Sequence, residues 1–353
     1  MTPRGTDWTL ALLVSLLSVT GLLTWFSGAS QDAWVFAAHA AGGGALALVL
    51  GWKLRRVWRR LLHPARWDGW TAAGLAALGL VAIALGSGWL WSSAGDAYLA
   101  GYSLLVWHTA LGAVLTAVIA LHLARRAKRP RPRDLASRRQ FLRTVGVAAG
   151  GAGVWWLQRP LAQAFGWPGA QRRFTGSYET ASGQGNAFPT TSWVADAPRP
   201  LSGPGYRLRI DGLVRTPVEL PSDHLDVGDE VVATLDCTGG FYSTQRWRGV
   251  RLARLIARAQ PLLQARHVRV ISHTGYRWSF PLTRAADLLL ATTLEGEPLS
   301  HGHGGPARLV APGRRGFQWV KWVVRLELRD GPDLGAAAST VWSSFTPEGT
   351  GRA

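Results

Sequence analysis

The first third of the chain is apolar on every side of a helical wheel, whereas the last third alternates between apolar and polar positions. Four runs, roughly 8–28, 33–53, 69–92 and 100–124, reach the ~20 residues a helix needs to cross a bilayer. A fifth, "TVGVAAGGAGVWWL" at 144–157, is shorter and rich in Gly and Ala; it predicts a further helix. Residues 161–205 are rich in Gly, Pro, Ser and Thr and read as a linker leading into an outer domain. Beyond them, "YRLRIDGLVRTPVELP" alternates like a strand pair, and "EVVATLDC" reads as a strand ending at Cys237. "GVRLARLIARA" has helical spacing, and "HVRVISHTGYRWSFPL" and "WVKWVVRLELRD" are strand-like. The expected architecture is multidomain: an all-α transmembrane helical bundle of four spans plus a fifth anchor helix, then an α+β domain. Its expected parts are a membrane domain (1–128), a basic segment with the fifth helix (129–160), the linker (161–205), the α+β domain (206–335) and a tail (336–353).

The formal net charge is +18. The arginines cluster at the ends of apolar runs rather than interleaving with aromatics on a soluble face, so a membrane surface is expected and nucleic acid is not. "KLRRVWRRLLHPAR" (53–66) and "RRAKRPRPRDLASRRQFLR" (125–143) are strongly basic, while "SGASQDA" and "SSAGDAYLAG" carry no Lys or Arg. Positive charge stays cytoplasmic, so the N-terminus and both basic connections are expected inside. "SRRQFLR" at 137–143 resembles a twin-arginine export signal, here placed after four spans, where it would act as an uncleaved anchor. Residues 160–353 are then expected as a folded, cofactor-bearing domain on the outer (periplasmic or extracytoplasmic) face of a bacterial cytoplasmic membrane.

Ionisable residues inside spans are costly and mark function. His39 and His108 lie at matching depth in spans two and four, roughly 9–12 Å below the outer surface at 1.5 Å per residue. Two imidazoles on different helices suit the two faces of one haem b. Gly43 and Gly112, four residues on, leave room for a flat ring. The other reading of the pair is interhelical hydrogen bonding. His122 follows His108 by 14 residues, and span four, "WHTALGAVLTAVIALHLARR", resembles the haem-bearing helix of membrane b-type cytochromes. Span two has Lys53 where a second ligand would stand, so one haem is expected, held by His39 and His108; a second haem at His122 is the alternative.

Cys237 is the only cysteine, so no intramolecular disulfide is possible. On composition alone it reads as a small buried hydrophobe. At a strand end before Gly-Gly, it also reads as a soft thiolate ligand approachable by a bulky cofactor.

From residue 206 to 330 the sequence resembles the molybdopterin-binding domain of the sulfite oxidase family. The resemblance rests on "RLRIDGLV", "LDCTGG" followed by "WRGVRL", "SHTGY" and "LEGEPLSHGHGGPARLVAPGRRGFQWVKWV", in that order, with a weaker match at "NAFPTTSW" upstream. It implies molybdenum ligation by Cys237. It also implies contacts to the pterin and its phosphate from Arg308, Arg314, Gly316 and Lys321, with Asn186 and Phe188 upstream. Sulfite oxidases proper carry Asn-Arg-Arg soon after the cysteine; here Gly240, Phe241 and Tyr242 stand there, which argues against sulfite as substrate. Tyr242 and Arg246 are candidates to donate to an oxo group or substrate oxygen. The expected function is a membrane-bound molybdenum oxidoreductase exchanging electrons with a quinone pool or another partner through haem b, and transferring an oxygen atom to or from a small molecule. The alternatives are a non-catalytic electron-transfer haem protein with a degenerate cofactor domain, and an outward binding domain on a structural anchor.

Overall fold

The computed structural model describes residues 2–67, 69–95, 97–126, 138–191, 196, 198–201, 205–225 and 228–343. It divides into two compact units, Met1–Tyr178 and Glu179–Ala353.

The first unit is helical: α1 (Pro3–Thr24), α2 (Ala33–Leu61), α3 (Gly69–Ala94), α4 (Leu104–Arg126) and α5 (Arg138–Ala164). The Thr2 hydroxyl starts α1 by accepting from the Gly5 N–H at 3.0 Å, with Pro3 at the first helical position. Val14, Leu46, Val81, Ala84 and Leu115 form the bundle core. Leu12, Val19, Leu48, Ile83, Val114 and Leu121 are exposed on the outer faces. Helices apolar inside and out have the composition of membrane spans. Among the described residues four segments are long and apolar enough to cross a membrane: Pro3–Thr24, Ser30–Arg59, Thr71–Ser93 and Leu104–Arg125.

Two boundaries differ from expectation. α1 begins earlier in the chain, and α2 continues through "KLRRVWRRL" to Leu61. Lys, Leu and Arg are good helix formers, and Lys53 is held inside the helix by an ion pair with Asp7 at 2.9 Å. The fifth run is helical over its whole length, yet it is not among the four apolar segments. Its small residues serve close packing instead. A Cβ on Gly151 would stand 2.9 Å from the Ala45 Cβ, and one on Gly44 would stand 3.2 Å from the Gly151 Cα, so the α2 and α5 backbones touch. Ser137 of the twin-arginine-like motif lies outside the described residues; Arg138–Arg143 begin α5.

The second unit holds two sheets. One is built on the hairpin β3 (Asp229–Asp236) and β4 (Phe241–Arg251); β4 pairs with β7 (Leu289–Leu294), which pairs with β8 (Arg308–Val310), all antiparallel. The other is five-stranded, in the order β2 (Val218–Pro221), β1 (Arg207–Gly212), β9 (Val323–Arg329), β5 (His267–Ser272), β6 (Arg277–Pro281), parallel only between β1 and β9. A short helix, α6 (Leu252–Arg258), follows β4. The strand alternation in sequence is the alternation in burial: along β4, Phe241, Ser243, Gln245 and Trp247 face inward. Leu208, Ile210, Val268, Val270, Leu290 and Leu326 are wholly buried, each stabilising the unit by roughly 1.5–3 kcal/mol.

Candidate molybdopterin site and histidine pair

Cys237 sits in the β3–β4 turn. Its N–H donates to Phe241 O at 2.8 Å, and Gly240 N–H donates to Cys237 O at 3.1 Å. Gly240 has φ +107°, a conformation that favours glycine. The thiol is buried but sits in a polar cradle, 3.3 Å from Gly239 N and 3.4 Å from Thr191 Oγ1. Gly316 closes the opposite side: a Cβ there would stand 3.2 Å from Cys237 Cα. Beneath the turn, Arg315 Nη1 donates to Asp236 Oδ1 at 2.7 Å and Nη2 to Cys237 O at 3.3 Å. Both side chains of this ion pair are almost fully buried, at 4% and 1% exposure.

A second group of cations gathers from β8 and the loops around it. Lys321 Nζ donates to Thr191 O (2.7 Å) and Gly302 O (2.6 Å), so Thr191 joins the lysine to the thiol. Arg308 is buried between the rings of Trp247 and Trp319 and donates to His303 O (2.8 Å) and Trp319 O (3.3 Å). Burial lowers Lys321 to about 7 and Arg308 to about 9, against the raising influence of Cys237 on both. Burial also holds His303 down at about 4 and hence neutral. Its Nε2–H donates to Phe188 O at 2.9 Å and its Nδ1 meets Ser300 Oγ at 2.7 Å.

Arg308 and Lys321 hydrogen-bond to carbonyls, not carboxylates, and the Nε atoms of Arg308 and Arg315 are buried with no partner among the described residues. Arg315 has Asp236 and Lys321 has Asp196 nearby, but Arg308 has no carboxylate partner among the described residues, and a buried cation so placed is costly unless an anion completes it. A soft thiol beside such cations fits a molybdenum–pterin group: Cys237 as thiolate ligand, with the cations available to its phosphate.

The other expected residues divide. Phe188 is buried, 4.1 Å from the His303 ring. Asn186 ties its segment to the next loop, donating to Pro298 O and accepting from Ser300 N, both at 3.0 Å. Tyr242 is half-buried directly across the hairpin from Asp236. Arg246 is not brought to the thiol. It is registered against Val232, about 13 Å along the strand from Asp236 at ~3.4 Å per residue. There it is exposed and ion-paired to Glu230 at 3.4 Å. Arg314 is half-buried in its turn, while its neighbour Arg315 points inward; β-like backbone at Arg315 sends adjacent side chains opposite ways. Arg315, Asp236, Thr191 and His303 were not singled out from sequence. An Asp ending the apolar run "VVATLD" was the available signal.

In the helical unit, His39 and His108 meet, with ring centroids 6.0 Å apart. His108 Nδ1 donates to Ala84 O at 2.8 Å. His39 Nδ1 bonds Thr20 Oγ1 at 3.0 Å, and that hydroxyl's own hydrogen goes to Leu16 O at 2.7 Å. Both rings therefore carry the proton on Nδ1 and the lone pair on Nε2, the state a metal ligand needs. The glycines that seat the rings are Gly21 and Gly88, where a Cβ would stand 3.3 and 2.8 Å from the Cε1 of His39 and His108. Gly112 faces open space and Gly43 faces Leu85. His122 lies toward the other end of α4 and takes no part in this pair.

Residues 196–336 match the family model described as an oxidoreductase molybdopterin binding domain. Rat mitochondrial sulfite oxidase is 31% identical over 33% of this chain and 27% of its own length. Aspergillus niger nitrate reductase [NADPH] is 32% identical over 36% of this chain and 18% of its own. The protein-methionine-sulfoxide reductase catalytic subunit MsrP of Gluconobacter oxydans is 29% identical over 47% of this chain and 57% of its own. The matches thus span about a fifth to just over half of these relatives' lengths. Residues 196–336 therefore resemble a molybdopterin-binding oxidoreductase domain, and this part of the chain is similar in sequence to parts of a sulfite oxidase, a nitrate reductase and an MsrP protein.

Proposed function

We propose that the chain is a membrane-bound molybdenum oxidoreductase. Its helical unit holds one haem b between His39 and His108, and its C-terminal domain, on the outer face, acts on a small molecule. The observation that carries this reading is Cys237, cradled by Thr191 and Gly239 in a domain whose buried Arg308 and half-buried Lys321 hydrogen-bond to carbonyls and form no ion pair among the described residues. Molybdopterin, when bound, supplies two-electron oxygen-atom transfer. The chain's own residues hold it: Cys237 on the metal, Arg308 and Lys321 toward the anionic part, and Arg315 with Asp236 fixing the cysteine turn.

The reductive direction is favoured, with a sulfoxide-like acceptor oxygen, because MsrP is a sulfoxide reductase by name and the Asn-Arg-Arg of sulfite oxidases is replaced by Gly240, Phe241 and Tyr242. Tyr242, beside the thiol turn, is the residue we assign to the substrate oxygen. The matching tautomers of His39 and His108 support the haem reading, with a quinol or another redox partner exchanging electrons through it. The basic segments at the end of α2 and before α5 support a cytoplasmic N-terminus, and the Arg138–Arg143 motif supports export through the twin-arginine route.

The test is metal analysis and an optical spectrum of the purified full chain. One molybdenum and one haem per chain are expected. Cys237→Ala should remove the oxygen-transfer activity while leaving the Soret band, and His39→Ala or His108→Ala should do the reverse to the haem. Activity intact in Cys237→Ala, or full haem content in both histidine variants, overturns the respective half.

A further inference from the structure

The helical unit contains a cavity of about 560 Å³ that neither the histidine pair nor the C-terminal domain uses. It lies between the first half of α1, the second half of α2, the first half of α3 and the second half of α4. That is the end of the bundle away from His39 and His108, beyond the apolar plug of Leu46, Val81 and Leu115. Its size is that of a small-molecule site. Leu46, Leu50 and Val81 line its walls, Arg4 and Arg56 are among its lining residues, and two further polar contributions come from different helices. One is the imidazole of His122 on α4; the other is the Lys53–Asp7 ion pair joining α2 to α1 at 2.9 Å.

His122, inside an apolar helix and facing the cavity, is an ionisable group of the kind that is costly unless it serves a ligand; Lys53 and Asp7 are more exposed, at 33% and 50%. A haem is the first candidate, since His122 stands where a second one would be ligated. The cavity denies it the opposite ligand: no second imidazole lines it, and Lys53, in the place of one, is tied to Asp7. A ligand that fits has an apolar body for the Leu and Val walls and two hydrogen-bonding oxygens, one for α4 and one for the α1–α2 pair. One oxygen meets His122 and the other the Lys53–Asp7 pair. A quinone or quinol has this form.

We infer that this cavity is the quinone-binding site of the helical unit, with His122 and the Lys53–Asp7 pair holding the two ring oxygens. The inference rests on the reading of that unit as the electron-carrying half. It adds a place and a residue set on the side of the bilayer where the basic segments lie.

The experiment is a fluorescence-quenching titration of the purified full chain, in detergent, with 2-heptyl-4-hydroxyquinoline N-oxide. The same samples are photolabelled with an azidonaphthoquinone and peptide-mapped, and their haem and molybdenum contents are measured. One saturable site per chain is expected, with label on the α2, α3 and α4 peptides that line the cavity. His122→Leu should weaken binding about tenfold, as expected for losing one buried hydrogen bond, and His122→Gln should recover part of it. Ala77→Phe, which fills the cavity from α3, should abolish binding while haem content stays unchanged. No saturable binding by protein that carries both haem and molybdenum, or label confined to peptides outside the cavity, overturns the siting and leaves the proposed function standing. Binding insensitive to His122→Leu and Ala77→Phe overturns it too, leaving lipid acyl chains as the cavity's occupant. Absence of haem and molybdenum is the separate failure of the proposed function; binding mapped to the cavity in such a sample still supports the site.

Discussion

The two units satisfy their buried polar groups in opposite ways. In the helical unit, hydroxyls return to their own helix: Thr9 to Gly5 O, Ser18 to Val14 O, Thr20 to Leu16 O and Ser93 to Trp89 O. α2 and α5 approach one another through glycines, at Gly44 and Gly151, and the Lys53–Asp7 ion pair joins α2 to α1 near the surface. In the C-terminal unit the buried polar groups reach across the sequence: Arg315 to Asp236, Lys321 to Thr191, His303 to Phe188, and Tyr206 Oη to Val323 O. Hydroxyls in apolar helices close on their own turn, whereas the networks of the C-terminal unit link segments far apart in the chain and shape the candidate site around Cys237.

The strongest way to break this contrast is Arg315→Ala. It leaves the Asp236 carboxylate buried without its cation, a change that costs about 3–5 kcal/mol. Hydrogen exchange should accelerate across 229–251, and molybdenum content should fall, while α1–α4 exchange as before. A cost below about 1 kcal/mol would mean that Asp236 is not the buried anchor it is taken for. Equal loosening of the helices would remove the distinction between the units.

A smaller effect comes from acid. Burial holds His303 neutral with its pKa at about 4, whereas the unfolded chain takes up a proton near 6.5. The depressed value means the unfolded state binds more protons between those limits. Stability of the C-terminal unit is therefore retained above about 6.5 and declines as pH falls toward 4, by no more than about 3 kcal/mol at ~1.4 kcal/mol per unit. Asp196, pushed up by burial, works in the opposite sense, and Asp333, held down by Arg277, contributes at lower pH. His303→Gln isolates the histidine: its denaturation midpoint should vary less with pH between 6.5 and 4 than the wild type's, and an unchanged slope would sink the assignment.

The same contrast decides what was legible in the sequence. Period-2 alternation exposed the strands, and all-round apolarity exposed four helices, because both patterns report the solvent each segment faces. Cys237, Arg308 and Lys321 stood out as chemistry in unusual settings. Arg314 and Arg315 were not separable, since adjacent residues in a loop share composition and differ only in backbone direction. Arg246 was read as near the thiol because it is near in sequence, but an extended strand carries it away at ~3.4 Å per residue. Thr191 and Gly88 were hidden because each acts on a partner far along the chain, Cys237 and His108.

The mildest prediction concerns the helical unit. Gly151→Leu adds a side chain where even a Cβ would stand 2.9 Å from the Ala45 Cβ and closer still to the Ala41 carbonyl. Overpacking of this kind costs about 1–3 kcal/mol, and with no ion pair between α2 and α5 among those described, the helices have nothing else of that kind to hold them together. α5 should shift from α2 and its central peptides should exchange faster. Exchange in 229–251 should not change, since Arg315 and Asp236 anchor that hairpin. Faster exchange there would show that the C-terminal domain depends on how α5 packs, and that the units differ less than their bonding suggests. Unchanged exchange in α5 itself would mean that the glycine contact is not what holds it.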